Sequence, residues 1–410
     1  MNAGAPICQA SLAERLRATR ALTLALAEPL SDADATVQPM PDASPAKWHL
    51  AHTSWFFETF VLLPRLAGYR RHDELWAFLF NSYYDGEGAR IARDRRGMLS
   101  RPSLDEVRVY RAHVDEALEA VLPDLDEEGL ALLELGLNHE QQHQELFLTD
   151  ILATFAANPL KPAYGTAEPA SCHAAEPLAW LPGRSGLVEV GARADGFAFD
   201  CERPRHSVWL HPHALANRPV SNGEWRQFMA EGGYSTPSLW LSEGWAWVQR
   251  EGIGAPLYWD ADGTAFTLAG QRELDGAAPV AHISFYEADA FARWAGARLP
   301  TEAEWEDGAA SADPWLGHQL DEAGPVGPRA GGAMFGDVWC WTASAFLPHP
   351  GFRAAEGSVG EYNGKFMSGQ MVLKGASCAT PRGHSRPSYR NFFPPAARWQ
   401  FSGVRLARDC

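Results

Sequence analysis

Asn138-His139-Glu140-Gln141-Gln142-His143-Gln144-Glu145 sets two imidazoles four residues apart inside a stretch that otherwise has the composition of an apolar helix. Upstream, Asp124, Asp126, Glu127 and Glu128 suit a helix start, where exposed N–H groups favour negative charge, and the run from Leu130 to Phe155 contains no proline. One long helix is expected there. Side chains one turn apart share a face, so His139 and His143 can aim ring nitrogens at one point. Leu132, Leu135 and Leu146 are expected on the same broad stripe, which puts both histidines on the buried side. Unpaired imidazoles in such a place are costly, and a shared cation removes the cost; hydrogen-bonded core histidines are the plainer alternative. His139-Glu140-Gln141-Gln142-His143 also fits the HExxH pattern, in which two histidines hold zinc and the glutamate is the general base. A zinc hydrolase using Glu140 is therefore one function class to weigh.

A third ligand would come from another helix. Ser44-Pro45-Ala46-Lys47-Trp48-His49-Leu50-Ala51-His52-Thr53-Ser54-Trp55-Phe56-Phe57-Glu58 offers a cap residue followed by proline at the first helical position, and carries His49 and His52. Both can face a bundle interior, so spacing does not choose between them. Three neutral imidazoles with open positions suit zinc or ferrous iron.

The same start signals recur. Ser11-Leu12-Ala13-Glu14 and Ser103-Leu104-Asp105-Glu106 are capping boxes ahead of apolar residues at helical spacing. With the helices after Ser44 and Asp124 they make four, and a four-helix bundle is the economical way to bury four apolar stripes and to gather metal ligands from separate helices. This bundle is expected over residues 1–156. Residues 157–180, with Asn158-Pro159, Lys161-Pro162, Glu168-Pro169 and Glu176-Pro177, read as a linker. From 181 to 410 the pattern changes to short β-prone pieces such as Leu187 to Val190 and Ser207 to Leu210, frequent Trp and Gly, and little helical periodicity outside Tyr286 to Ala295. The fold class is α+β.

Composition bounds the partners. A chain of 410 residues with 46% hydrophobic content can bury a sizeable core in two domains. The formal charge of −16 disfavours nucleic acid and anionic membranes as partners, since both require basic patches. No apolar signal segment precedes Glu14, and a cytoplasmic location is expected. Cys8, Cys172, Cys201, Cys340, Cys378 and Cys410 are widely spaced without a CxxC, which suits reduced thiols.

The second half resembles the formylglycine-generating-enzyme superfamily, a C-type-lectin-like fold, in Phe197-Ala198-Phe199-Asp200-Cys201-Glu202-Arg203-Pro204, Pro219-Val220-Ser221-Asn222-Gly223-Glu224-Trp225, the run from Ala297 to Glu306, Gly336-Asp337-Val338-Trp339-Cys340-Trp341-Thr342 and Leu373 to Cys378. Joined to a DinB-like bundle, it resembles the sulfoxide synthases of ergothioneine biosynthesis, the hercynine oxygenases. Pro41 to His52, Phe80-Asn81-Ser82-Tyr83-Tyr84, the His139/His143 segment and Tyr389-Arg390-Asn391-Phe392-Phe393-Pro394-Pro395 carry that likeness. The resemblance selects His52 over His49 and implies an iron(II) site of His52, His139 and His143, with O2 as co-substrate. It further implies Tyr83 or Tyr84 as proton donor, Gln142, Asn391 and Phe392 near hercynine, and Arg93 and Arg96 toward the carboxylates of a cysteine-type thiol, cysteine or γ-glutamylcysteine. The Tyr83/Tyr84 pair leans toward free cysteine. Asp337 and Cys340 depart from the superfamily's usual Asn and Glu, which argues against a structural calcium there. No closely spaced cysteine pair lies between Ser385 and Phe393, so sulfatase activation is not expected. The rivals are a selenium-inserting relative that makes selenoneine, the zinc hydrolase, and a non-catalytic ligand-binding protein built on the lectin-like half.

Overall fold

The computed structural model describes residues 11–166 and 175–410, which divide into two compact units: residues 11–82 with 89–147, and residues 83–88 with 148–410. Cys8, Cys172 and the Glu168-Pro169 pair lie outside the described residues.

The first unit is a helical bundle whose long helices start near the capping signals. At the head of α1 (Leu12–Ala27) the Glu14 N–H donates to the Ser11 hydroxyl at 3.3 Å, and the Ser11 N–H donates to the Glu14 carboxylate at 2.7 Å. These bonds satisfy first-turn groups that the helix itself leaves unpaired. α2 (Ala46–Phe57) begins one residue later than expected: Pro45 is its cap, and the Ser44 hydroxyl accepts from Arg96 Nη1 at 2.9 Å instead. Ser103 and Glu106 form the box that opens α3 (Leu104–Val121). The proline-free helix is α4 (Glu127–Ala157), and the division between the units falls within it, after Phe147.

The inward stripe of α4 is not the expected one. Leu132, Leu135 and Leu146 are only half-buried, whereas Leu133, Leu137, Glu140, Gln144 and Phe147 are closed off from solvent. Gly136 sets this register, because a Cβ there would stand 2.4 Å from the Phe57 ring, so only glycine lets α4 approach α2 so closely. His139 and His143 share the buried side all the same.

In the second unit, β1 (Trp180–Pro182) and β11 (Ala407–Asp409) flank β4 (His213–Ala216) in an antiparallel sheet. A four-stranded sheet runs β10 (Ser402–Gly403), β7 (Trp339–Ala345), β8 (Met371–Lys374), β9 (Asn391–Phe393), with Val372 opposite Phe392. The expected strands at 187–190 and 207–210 are β2 (Gly186–Val190) and β3 (His206–Leu210), paired antiparallel with Val188 opposite Val208. β5 (Thr264–Thr267) and β6 (Gly270–Glu273) form a further pair. The helix expected at 286–295 is Phe285–Trp294, but Asn222–Ala230, Ser242–Glu251 and Glu302–Gly308 are helical too, contrary to expectation. Asn222–Ala230 and Glu302–Gly308 open on the capping boxes Ser221/Glu224 and Thr301/Glu304, which stand in the sequence, whereas Ser242–Glu251 has no side-chain cap. Trp225, Trp305, Trp339 and Trp341 are fully buried in this unit. Among the described residues no helix is long and apolar enough to cross a membrane.

Candidate metal centre

His52 from α2 and His139 and His143 from α4 converge inside the first unit. Their ring centroids stand 4.9 Å (His52–His139), 4.8 Å (His52–His143) and 4.7 Å (His139–His143) apart, and one nitrogen from each ring lies within 4.8 Å of the others. All three side chains are buried. No other group of three or more such residues among those described meets the same spacing.

The surroundings fix both orientation and charge. His52 lies between two indoles of its own helix, Trp48 one turn before it at 4.6 Å and Trp55 one turn after it at 5.6 Å, both stacked nearly parallel to the imidazole. Its Nδ1 donates to the Phe80 carbonyl at 2.6 Å, which leaves Nε2 for a cation. The Nδ1 of His143 meets the Nδ1 of His49 at 2.8 Å. When His143 donates in that bond, its Nε2 is likewise free to offer a lone pair, and His49 contacts the three-histidine group from outside it. Burial depresses the His52 and His143 pKa values far below the ordinary imidazole value, with neighbouring rings adding to the effect. Burial also pushes His139 down to about 4, against the opposing charge of Glu140. Neutral imidazoles are the form that binds a metal, so the donor set fits a divalent first-row ion.

Glu140 does not serve as the base that an HExxH zinc site requires. Its carboxylate accepts from Thr23 Oγ1 at 2.6 Å, Arg111 Nη2 at 2.8 Å and Arg20 Nη1 at 2.9 Å, all within the core of the first unit. Burial by itself would raise this carboxyl, but the two guanidiniums and the Thr23 hydroxyl outweigh it and hold the pKa at about 2. A carboxylate so strongly stabilised in its ionised form is a poor proton acceptor at neutral pH. The pattern match marks an internal ion-pair network.

The sulfatase-modifying factor enzyme 1-like domain matches residues 170–326 and 332–410, and the DinB superfamily matches residues 15–147. The hercynine oxygenase of Mycolicibacterium smegmatis is 35% identical over 98% of this chain and 100% of its own length. The chain belongs to the hercynine oxygenase family. The hercynine oxygenase of Mycobacterium tuberculosis is 34% identical, covering 97% of this chain and 98% of that protein. The formylglycine-generating enzyme of the same organism is 29% identical over 48% of this chain and 85% of its own length.

Of the other residues singled out by likeness to hercynine oxygenases, three lie in the first unit. Gln142 is half-buried on α4 beside His143. Arg93 is half-buried and donates to the Asp42 carbonyl. Arg96 is almost wholly buried, with Nη1 on Ser44 Oγ at 2.9 Å, Nη2 on Ser82 Oγ at 3.0 Å, and its guanidinium 3.4 Å from the Trp48 ring centre. Tyr83, Tyr84, Asn391 and Phe392 lie in the second unit. Tyr84 is buried and Tyr83 half-buried, its ring edge-on to Phe366 at 4.8 Å. Asn391 and Phe392 open β9, and the Phe392 ring stacks on Phe346 at 4.1 Å. Residue chemistry had left His49 and His52 equivalent and had not assigned Trp48 and Trp55 to the site; their signal was the spacing Trp48, His52, Trp55 along one helix face.

Proposed function

We propose that this chain is a non-haem iron(II)- and O2-dependent sulfoxide synthase that joins the sulfur of a cysteine-type thiol to C2 of hercynine in ergothioneine biosynthesis. The reading is carried by the buried three-histidine cluster in a chain that aligns over nearly its whole length with hercynine oxygenases. The overall change balances as thiol plus hercynine plus O2 giving the sulfoxide plus water. The S–H and the C2–H bonds are lost, a C–S and an S–O bond form, and both hydrogens leave in the water.

His52, His139 and His143 would hold the iron as neutral ligands, leaving open positions for reactants. Iron bound there supplies the electron transfer that couples both oxidations to reduction of one O2. The thiol binds as thiolate, so its proton must be taken up elsewhere, and Tyr83 or Tyr84 is assigned to return a proton from its Oη so that coupling wins over oxidation of the thiol alone. Gln142 and Asn391 offer amides to the hercynine carboxylate or imidazole, and the Phe392 ring offers a face to its trimethylammonium group. Arg93 and Arg96 are assigned to a thiol-substrate carboxylate, which a guanidinium can hold through two parallel hydrogen bonds. Cysteine is favoured over γ-glutamylcysteine as donor, and a cytoplasmic setting belongs to the same reading.

The test is mass spectrometry of products after iron-loaded protein meets hercynine and O2 with cysteine, γ-glutamylcysteine or a selenium donor in separate reactions. A hercynyl-cysteine sulfoxide supports the proposal. A selenium adduct without a sulfur adduct would transfer the assignment to selenoneine formation, and turnover with zinc in the absence of O2 would transfer it to hydrolysis.

A further inference from the structure

Residues 83–88 leave the bundle for six residues, between Ser82 and Ala89, and belong to the second unit. Their own regular structure is one short turn, Asp85–Glu87, closed by Gly88 at φ +112°. So brief a segment, carrying two tyrosines, needs external contacts to hold either ring in one place. Two consecutive side chains supply them. Lys365 Nζ donates to the Tyr83 carbonyl at 3.0 Å and to Asp85 Oδ2 at 2.7 Å, holding the backbone before Tyr84 and the side chain of the residue after it. Phe366 packs edge-on against the Tyr83 ring at 4.8 Å and lies 5.6 Å from the Phe392 ring, which in turn stacks on Phe346. One aromatic series thus connects Tyr83 to the strand β9 that carries Asn391 and Phe392.

We propose that Lys365 and Phe366 are positioning residues that clamp the Tyr83–Tyr84 segment and so set how much thiol is coupled to hercynine and how much is oxidised alone. This rests on the proposal that one of those phenols is the proton donor. The lysine and aspartate side chains are 39% and 61% exposed, so the ion pair is screened by salt and light enough to remove without unfolding the protein. The clamp thereby gives the product ratio a dependence on ionic strength that Lys365→Met abolishes.

The experiment compares wild type, Lys365→Met, Lys365→Arg, Phe366→Leu, Tyr83→Phe and Tyr84→Phe. Two readouts are taken: the ratio of uncoupled thiol oxidation to sulfoxide formation across a salt series, and hydrogen exchange of the 83–88 amides in metal-free protein. Lys365→Met is expected to raise the uncoupled ratio roughly three- to fivefold, the scale of an exposed ion pair, and to speed exchange of the segment. Lys365→Arg is expected to restore both, and Phe366→Leu to raise the ratio without removing its salt dependence. If the tyrosine variants change the ratio while Lys365→Met changes neither ratio nor exchange, the clamp is overturned and the proton-donor assignment stands. If neither tyrosine variant changes the ratio, the assignment falls and the clamp's catalytic role with it.

Discussion

Replacing Glu140 with Gln separates an ion-pair network from a catalytic base, because the two roles predict opposite results. Glu140 bridges Arg20 and Arg111, both buried, and holding its carboxyl at about 2 against a usual 4.5 corresponds to about 3 kcal/mol of preference for the ionised form. Arg20 keeps a second carboxylate in Asp115 at 2.6 Å. Arg111 does not: its other partners are the Leu50 carbonyl, the Thr53 hydroxyl and the Arg20 carbonyl. The amide therefore leaves the buried Arg111 guanidinium with no carboxylate hydrogen-bonded to it and only the more distant charge of Asp115, a change that costs about 3–5 kcal/mol, toward the lower end here because the amide oxygen still accepts hydrogen bonds. Urea unfolding of metal-free wild type and Glu140→Gln, with the change taken from the midpoint at constant slope, measures it. A variant within about 0.5 kcal/mol of wild type but devoid of turnover would refute the network and restore Glu140 as a base.

The pH dependence follows from the same carboxylate. Its pKa is lower folded than unfolded, so its stabilisation is complete above the unfolded value of 4.5 and is lost as pH falls toward about 2. The stability gap between wild type and Glu140→Gln should be flat from neutral pH to about 5 and close below 4.5, read by denaturant midpoints at each pH. Gly136→Ala should cost about 1–3 kcal/mol and weaken metal binding, since the new methyl must push the Phe57 ring from 2.4 Å; an unchanged melting temperature would exclude the close approach of α4 to α2 as the cause of the register.

The bundle was legible because its helices carry their own start signals and one of them runs without proline from Glu127 to Ala157. The histidine pair on α4 followed from spacing alone. The choice between His49 and His52 did not, for a physical reason: both are buried and both join the cluster, His52 as one of three converging rings and His49 through the His143 Nδ1. Residues three apart on a helix share a face, so only tertiary packing distinguishes them. Glu140 misled in a different way. The partners that occupy it are 120 and 29 residues away in sequence, and no local pattern announces them. The return of residues 83–88 to the second unit was also invisible, because a six-residue excursion has no periodicity. In the second unit, β-prone composition located β2 and β3, whereas the capping boxes at Ser221/Glu224 and Thr301/Glu304 mark two further helices and Ser242–Glu251 has no side-chain cap to announce it.

Anaerobic titration of iron(II) into wild type, His52→Ala and His49→Ala, followed by the bound metal per chain and its Kd, tests the metal centre itself. Wild type should bind one equivalent, His52→Ala should lose that site, and His49→Ala should keep it with affinity weakened about 10- to 100-fold, as removal of an outer hydrogen-bond partner does. Full binding by His52→Ala, or equal loss in both variants, would contradict a centre made of His52, His139 and His143.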